Sequence, residues 1–331
     1  MHVRRPAPGG ALAGAVEDLL TPRSAGVGEA LRADASGALG PMLNPSGMVL
    51  TKAYTIEAMY GFDVRSIGSN LHLSIVDSTT SKLAAGIYYD FIYASPKYGP
   101  TGVPGLDPAS KPSITHTGSE TGLALGVPLG SWFALGASLK YVRFTSDTPN
   151  PLYNAATNPN APQTLTLQST TSAAAADGFT LDVGLTLRLG DKFNLAVVGY
   201  NLIPLRAFDA PLALGMGLAV KPTPNLTIAF DDVLYFDKYH KLLDPILGTT
   251  QSQVTNRLGG GLEWLAGGKV PIRVGALWDQ GRPGGYLTMG LGYVSTTFAI
   301  DLSYRQQITN GDDSRLVLGL RVFLGGAAPA L

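Results

Sequence analysis

The chain has 331 residues, with 41 Gly and no Cys, and its 24 Lys and Arg are matched by 24 Asp and Glu. The balanced charge leaves no basic excess for a phosphate backbone, which disfavours nucleic-acid binding, and the lack of Cys excludes disulfides, thiolate metal sites and Cys nucleophiles. Charged residues are only 15% of the chain while hydrophobic residues are 45%, so we expect much of the surface to face something other than water.

The first 50 residues show no alternation of apolar and polar positions, and the stretch 24–43 is rich in Ala and Gly. A helical turn is predicted over 29–35. The apolar run 11–16 is too short for a secretory signal and leads directly into two acidic residues. Because export needs such a signal, we expect either a processed chain or a misplaced start.

The longest uncharged stretch, 121–139, is not predicted to form a membrane helix. A turn signal at 128–131 interrupts its middle, and Gly122, Gly126 and Gly136 weaken a helix further. Only helices and closed barrels satisfy every backbone group in lipid. Any lipid contact must therefore be made by a closed barrel.

From residue 54 onward the chain alternates with the period of two that marks a strand with one apolar and one polar face. In 179–189, for example, every odd residue is large and apolar. Most segments have the 9–11 residues of a tilted membrane strand, and their number is even, as in bacterial outer-membrane barrels. The fourteen segments are 54–63, 71–79, 83–95, 119–129, 132–147, 178–189, 193–203, 211–220, 226–236, 254–265, 271–279, 286–294, 297–308 and 314–324.

The connections alternate in length along the chain. Longer loops, notably 96–118, 148–177 and 237–253, follow odd-numbered segments. Tight turns follow even-numbered segments, at 80–82, 130–131, 190–192, 222–225, 267–269 and 295–296. Short turns at one rim and long loops at the other are typical of a barrel with a periplasmic and an extracellular end.

Aromatic residues on the outward parity lie near both ends of the segments and predict two membrane-interface girdles. The girdle at the short turns contains Phe133, Phe193, Trp264, Tyr293 and Phe298, and the other contains Tyr141, Phe179, Trp278 and Tyr304. A soluble barrel or sandwich burying the same face is the alternative, and the parity and the loop asymmetry both disfavour it. The predicted fold is all-β, a 14-stranded antiparallel transmembrane β-barrel.

Polar residues on the inward parity are expected to line the lumen, where most other positions are small. These residues are His72, Lys140, Asp182, Arg188, Glu263, Arg273, Asp301, Arg305 and Arg321. They would anchor a plug, or pair across strands without any role in transport. Asp231 and Asp232 with Asp237 could bind a cation near the outer rim, although a solvated strand end is favoured.

The turn positions predict two cross-strand salt bridges inside the barrel, because directly opposed side chains lie close together. The pairs are Glu263–Arg273, centred on Gly268, and Asp301–Arg321, centred on Gly311.

Signals for an enzyme are weak. The chain contains no G-x-S-x-G, P-loop or H-E-x-x-H motif. His72 alternates with Leu71 and Leu73, so a polar contact in the lumen is favoured over catalysis. We assign no catalytic residue, no metal and no cofactor, and we expect a protein that is not an enzyme.

The residues before the first strand follow a recognisable order. An Ala/Gly-rich stretch at 24–30 and an acidic-small step at 33–36 precede Asn-Pro-Ser-Gly-Met at 44–48. This order resembles the N-terminal region of the FadL/PorV-like superfamily, which has Asn-Pro-Ala-Gly before its first strand, with Ser46 here in place of Ala. The segments 181–185 and 299–304 also resemble strands of the superfamily.

The resemblance implies a barrel with an N-terminal hatch inside it, that is, a hatch over 1–50, a barrel over 51–325 and a tail over 326–331. The gate of this hatch would be formed by Asn44, Pro45, Ser46 and Gly47. A barrel of this width cannot be filled by its own side chains, which also favours an N-terminal plug.

In the FadL branch such a barrel passes fatty acids or other hydrophobic molecules passively through a hatch-gated lumen. In the PorV branch it is a non-transporting partner in protein secretion or a surface complex. We therefore expect an integral protein of the bacterial outer membrane. Its expected partners are membrane lipid and a hydrophobic small molecule, with a protein partner as the alternative.

Overall fold

The computed structural model describes residues 21–64, 67–95, 116–154, 164–205, 210–244, 249–281, 284–309 and 313–324. Its strands are β1 (Tyr54–Asp63), β2 (Ile67–Asp77), β3 (Ala84–Ser95), β4 (His116–Pro128), β5 (Phe133–Asn154), β6 (Thr164–Leu189), β7 (Phe193–Tyr200), β8 (Ala213–Thr223), β9 (Leu226–Asp244), β10 (Thr249–Ala266), β11 (Val270–Asp279), β12 (Gly284–Val294), β13 (Phe298–Gln307) and β14 (Ser314–Leu324). Each strand pairs antiparallel with its neighbours in the chain, and β1 pairs with β14 to close the sheet. The predicted fourteen-stranded barrel is confirmed.

The side chains of the strands alternate between an exposed outer face and a buried inner face. In β13, Ile300 is 51% exposed, whereas the next residue, Asp301, is 3% exposed. The helices in the described ranges all lack the length and apolarity of a membrane span. A continuous apolar outer surface on a closed sheet is what lipid requires of a spanning strand protein.

Aromatic rings on the outer face pack in pairs at both ends of the barrel. At the short-turn end, the ring centroids of Tyr293 and Phe298 are 6.1 Å apart. At the opposite end, those of Tyr141 and Phe179 are 5.1 Å apart. The positions agree with the two predicted girdles, because amphipathic rings favour the headgroup level of a membrane.

Two of the predicted long loops are largely strand. β5 and β6 stay paired out to Asn154 and Thr164, and β9 and β10 stay paired out to Asp244 and Thr249, so the predictions of loops at 148–177 and 237–253 were wrong. Beyond the membrane, a two-stranded ribbon has no lipid-facing side. Its sequence therefore need not alternate, and the pattern ends before the hydrogen bonding does. The third predicted loop lies outside the described residues except for its last part, which belongs to β4.

The segment 21–50 lies inside the barrel, and we call it the hatch. It contains the helices α1 (Pro22–Gly26) and α2 (Gly40–Leu43) and the 3₁₀ turns Arg32–Asp34, Gly37–Leu39 and Pro45–Leu50. Within the helical turn predicted over 29–35, the structure forms the 3₁₀ turn Arg32–Asp34. Gly28 and Glu29 both adopt left-handed conformations, with φ of 67° and 65°, and such residues do not continue a right-handed helix.

The hatch packs directly against glycines of the inner wall. A Cβ added to Gly136 would lie 2.3 Å from the carbonyl carbon of Pro45, and one added to Gly259 would lie 2.1 Å from the carbonyl oxygen of Gly28. These are backbone atoms, which cannot rotate away as a side chain can. The small inner residues thus let the hatch backbone lie against the sheet.

We expect the substitution Gly136→Ala to displace the hatch while the barrel stays closed, because the added methyl overlaps Pro45. Overpacking of this kind costs about 1–3 kcal/mol. Protease sensitivity of the hatch reports its displacement, and heat-modifiable gel mobility reports barrel integrity. The matched control is Gly285→Ala, whose new Cβ would meet its nearest neighbour, Thr309, at an ordinary 3.4 Å. A hatch equally protected in both variants would contradict the packing described here.

Candidate functional site in the lumen

Asn44 joins the hatch to the wall. Its side-chain oxygen accepts hydrogen bonds from the backbone N–H of Ser46 at 3.1 Å and from the Ser46 hydroxyl at 2.7 Å. Its side-chain nitrogen donates to Thr186 on β6 at 2.9 Å and to the carbonyl of Arg32 at 2.8 Å. Ser46 and Thr186 also share a 2.7 Å hydrogen bond. All the hydrogen-bonding capacity of the buried Asn44 amide is thereby used.

Pro45 and Gly47 set the path of the chain from the lumen into β1. Pro45 opens the 3₁₀ turn that leads to the first strand, where its missing N–H costs nothing. A Cβ on Gly47 would lie 2.3 Å from the carbonyl oxygen of Ala35. The structure therefore brings the four predicted gate residues together, in one buried joint at the base of the hatch.

A chain of ion pairs crosses the lumen and includes the hatch. Arg23 of α1 binds Asp34 at 2.6 Å and Glu263 on β10 at 2.8 Å. Burial by itself would lower the pKa of Arg23, but the two carboxylates hold that pKa above its usual value. The remaining links are Lys221–Asp34 at 2.9 Å, Glu263–Arg273 at 2.6 Å, Arg273–Asp301 at 2.6 Å and Asp301–Arg321 at 2.7 Å.

The first predicted cross-strand pair is confirmed. Glu263 and Arg273 lie directly opposite each other in the β10–β11 register, and their side chains form a salt bridge on the inner face. Glu263 also accepts hydrogen bonds from Arg23 on both of its oxygens. A wall carboxylate thus holds one wall cation and one hatch cation together.

The second predicted pair forms a salt bridge, but its register was wrong by two residues. Asp301 lies opposite Gly319, because the β13–β14 pairing is centred one position earlier than Gly311. Arg321 is therefore a diagonal neighbour of Asp301. Diagonal neighbours are within reach of a long side chain, which explains why the ion pair forms in the shifted register.

The wall of β2 to β6 carries a second buried polar group. The Nδ1 atom of His72 lies 2.6 Å from Asp90, so His72 makes the expected polar contact in the lumen. Lys140 lies 2.8 Å from Asp182 and 3.4 Å from Glu120. Every one of these side chains is buried, and each charge is paired, as burial requires.

Asp231 and Asp232 lie on opposite faces of β9. Asp231 is buried in the lumen and binds Arg32 of the hatch through the guanidinium at 3.0 Å and the backbone N–H at 2.9 Å. Asp232 faces outward beside Leu258, which pairs with the girdle residue Trp278. Because β9 continues to Asp244, neither residue is at a strand end, and the favoured prediction was wrong. The alternative, a cation site shared by Asp231 and Asp232, fails too, since the two carboxylates point apart, and the side chain of the third predicted ligand, Asp237, lies outside the described residues.

The other two predicted lumen residues, Arg305 and Arg188, differ in their contacts. Arg305 on β13 binds Glu29 of the hatch at 2.9 Å, whereas Arg188 lies half-buried near the short-turn end of β6, apart from these ion pairs. Sequence reasoning missed Arg257 and the charged hatch residues Arg23, Glu29 and Arg32. Arg257 has the same inward parity on β10 as Glu263, and this parity could have identified it as a lumen residue. The hatch has no periodicity, so nothing in the sequence singled out its charges.

A cavity of about 100 Å³ lies between the hatch and the wall, on the side of the longer connections. Apolar side chains form much of its lining, and the cations on its border are held by carboxylates. Arg32 binds Asp231, Lys140 binds Asp182 and Arg257 binds Glu29. The apolar and aromatic residues of the lining include Met42, Leu43, Tyr200, Val233, Tyr235 and Leu277.

We expect Glu263→Gln to lower the free energy of unfolding by about 3–5 kcal/mol, because the change leaves Arg23 and Arg273 buried without their shared carboxylate. Urea unfolding in lipid vesicles, followed by gel mobility, measures the change. Asp191→Asn, in the exposed turn after β6, is the matched control and should leave stability within about 0.5 kcal/mol of the unchanged protein. Equal midpoints for the two variants would contradict a structural role for this ion pair.

No protein-family model and no curated protein matches the sequence. Solved structures do match it. The toluene transporter TbuX of Ralstonia pickettii is 13% identical, with a TM-score of 0.68 over 92% of this chain and 98% of that chain. A FadL homologue of Pseudomonas aeruginosa is 12% identical, with a TM-score of 0.68 over 94% and 99%. The toluene transporter TodX of Pseudomonas putida is 13% identical, with a TM-score of 0.65 over 92% and 97%.

At these identities the likeness concerns the fold. It extends over 92–94% of this chain and 97–99% of the others. The chain therefore has the FadL-like barrel fold, which confirms the resemblance seen in its N-terminal residues.

Proposed function

We propose that this chain is an integral channel of the bacterial outer membrane for the passive uptake of small hydrophobic molecules, with the hatch closing its lumen. The observation that carries the proposal is the cavity between the hatch and the wall, where apolar and aromatic side chains form much of the lining. It lies on the side of the longer connections, where a molecule from outside would arrive. The transport of toluene by TbuX and TodX, two proteins of the same fold, supports this proposal.

The ligand that best suits the cavity is small and uncharged. The volume of the cavity is about 100 Å³. For comparison, an engineered apolar cavity of roughly 150 Å³ binds benzene. A single ring or a short alkyl chain is therefore the right scale, with modest side-chain movement. Fatty-acid-like substrates, the expectation from the family resemblance, would have to extend beyond this cavity.

A non-transporting role as a secretion partner is not favoured. A barrel that served only as a docking surface would have no need of an apolar cavity between its hatch and its wall. We likewise infer a role without catalysis, with membrane lipid around the outer belt and the ligand in the lumen as the partners of the chain.

Deleting residues 1–43 should leave a folded barrel and raise its ion conductance several-fold in planar bilayers, because the hatch fills the lumen. Heat-modifiable gel mobility verifies folding. The full chain carrying Asp191→Asn, a change in an exposed turn, should conduct like the unchanged protein. If the truncated barrel conducts no better than the full chain, the hatch does not close the lumen, and the secretion-partner alternative moves ahead.

Filling the cavity should slow uptake without disturbing the barrel. Val233 is buried and faces the cavity, so we expect Val233→Trp to reduce the entry of toluene into proteoliposomes several-fold. The matched control, Val183→Trp, adds the same ring on the exposed outer face, where lipid can accommodate it. Unchanged uptake by the Val233 variant would show that the route does not pass through this cavity.

A further inference from the structure

Asp232 is an acidic residue on the outer face of the barrel, in the part of β9 that lipid surrounds. It pairs with Met216 on β8 and with Leu258 on β10, and Leu258 pairs with Trp278 of the aromatic girdle near the longer connections. Charged side chains on the lipid face of a barrel are destabilising, and an ionisable residue within the membrane indicates a functional site by default. Closure of the sheet does not explain this residue.

One carboxylate oxygen of Asp232 has no partner in the part of the chain that the structure describes. This atom, Oδ1, is buried and accepts no hydrogen bond there. The preceding residue, Asp231, binds Arg32 on the opposite side of the sheet. A buried acceptor without a partner costs free energy, so this position favours a cation that the chain itself does not supply.

A groove of about 690 Å³ lies beside Asp232 on the outer surface of β8 to β11. Gly260 and Ala276 face outward within it and oppose each other in the β10–β11 register. Two small residues in a belt of large ones leave a depression, whose size is within the ~300–1,000 Å³ of ligand sites. The large outward residues around it are Met216, Leu218, Phe230, Leu258 and Trp278.

The hatch covers the inner side of the wall at this point. A Cβ added to Gly28 of the hatch would lie 2.6 Å from the carbonyl oxygen of Gly260, so the hatch backbone lies directly against β10. On the outer side, a Cβ added to Gly260 would lie 3.0 Å from Cδ1 of Phe230, whose ring therefore reaches over the glycine. The groove is a recess in the lipid-facing surface, and its occupant arrives from the membrane.

The position of Asp232 sets the orientation of an occupant. Asp232 and Trp278 lie one row of outward side chains closer to the longer connections than Gly260 and Ala276. A head group bound to Asp232 would lie at the level of the aromatic girdle, where the headgroups of a membrane are. An alkyl chain would then run along the apolar groove towards the middle of the membrane, which is the orientation of an amphiphile.

The lining of the groove favours an ammonium head group. The carboxylate of Asp232 attracts a cation and repels a phosphate, sulfate or carboxylate. The faces of aromatic rings also attract cations, and both Phe230 and Trp278 border the groove. An uncharged amphiphile would fill the groove but leave the carboxylate without a counter-ion.

We propose that this groove binds an alkylammonium amphiphile from the surrounding membrane, with its ammonium on Asp232 and its chain along Gly260 and Ala276. The groove lies on the opposite side of the sheet from the cavity in the lumen, so the proposal does not depend on the uptake function. A single carboxylate gives this side of the barrel a preference among the amphiphiles around it.

The test measures quenching of Trp278 fluorescence by brominated amphiphiles, with the full chain in micelles of dodecyl maltoside, whose head group is uncharged. Trp132→Phe and Trp264→Phe leave Trp278 as the remaining tryptophan. The probes are dodecyltrimethylammonium and dodecyl sulfate, both brominated beside the head group. We expect half-quenching at an about tenfold lower concentration of the ammonium probe than of the sulfate probe. Asp232→Asn should bring the two concentrations within about twofold of each other.

The matched control for charge is Asp177→Asn. Asp177 is also an outward carboxylate near the longer connections, on β6, where the hydroxyl of Tyr141 donates to it, but it does not border the groove. This variant should keep the preference for the ammonium probe. Loss of the preference here would mean that the overall surface charge attracts the probe, and would overturn the site.

The place of the chain is tested by Ala276→Leu, which fills the groove and should weaken quenching by the ammonium probe several-fold. Its control is Val274→Leu, on the same exposed face of β11 but outside the groove, which should change nothing. Quenching that is equal in these two variants would show that the amphiphile does not lie in the groove.

A second copy of this chain is the other occupant to be distinguished. It would shield Trp278 from both probes and would be recovered as a cross-linked dimer, a result that overturns the amphiphile site. Equal quenching by the two probes, or a preference that survives Asp232→Asn, would also overturn it. The uptake function would stand in each of these cases, because it concerns the other side of the wall.

Discussion

Closure of the sheet through the pairing of β1 with β14 is the constraint on which the rest of the structure depends. In lipid, every backbone N–H and C=O must be bonded within the protein, and a closed sheet achieves this without an exposed edge. Fourteen strands, however, enclose more space than their own side chains can fill. The segment before the first strand takes up that space, and the Gly and Ala residues of the inner wall let its backbone lie close to the sheet.

Charge pairing determines where the hatch sits. A buried charge without a partner is costly, and both the lumen wall and the hatch carry buried charges. Each hatch charge meets a wall charge of opposite sign, as Arg23 meets Glu263 and Arg32 meets Asp231. Such pairs contribute little net stability against an apolar alternative, but a misplaced hatch would leave several of them broken at once. They therefore favour one position of the hatch over others.

The same pairing extends to the cations that border the cavity. Arg32, Lys140 and Arg257 on the border of the cavity are each held by a carboxylate of the protein, so their positive charges are already paired. In two contacts the hatch supplies the anion, since Glu29 binds Arg257 and Arg305 and Asp34 binds Lys221.

The sequence by itself determined the barrel, its strand number, the side chains that face lipid and the ends that carry short turns, because all of these follow from a period of two read between turn signals. It also determined the Glu263–Arg273 pair, whose register depends on a short turn. Only the tertiary structure decided the features that alternation does not encode. The β13–β14 register shifted by two residues, and the outer ribbons continued where neither face meets lipid. The position of the hatch, and with it the roles of Arg23 and Glu29, depends on contacts between residues more than 200 positions apart in the chain, which no local pattern records.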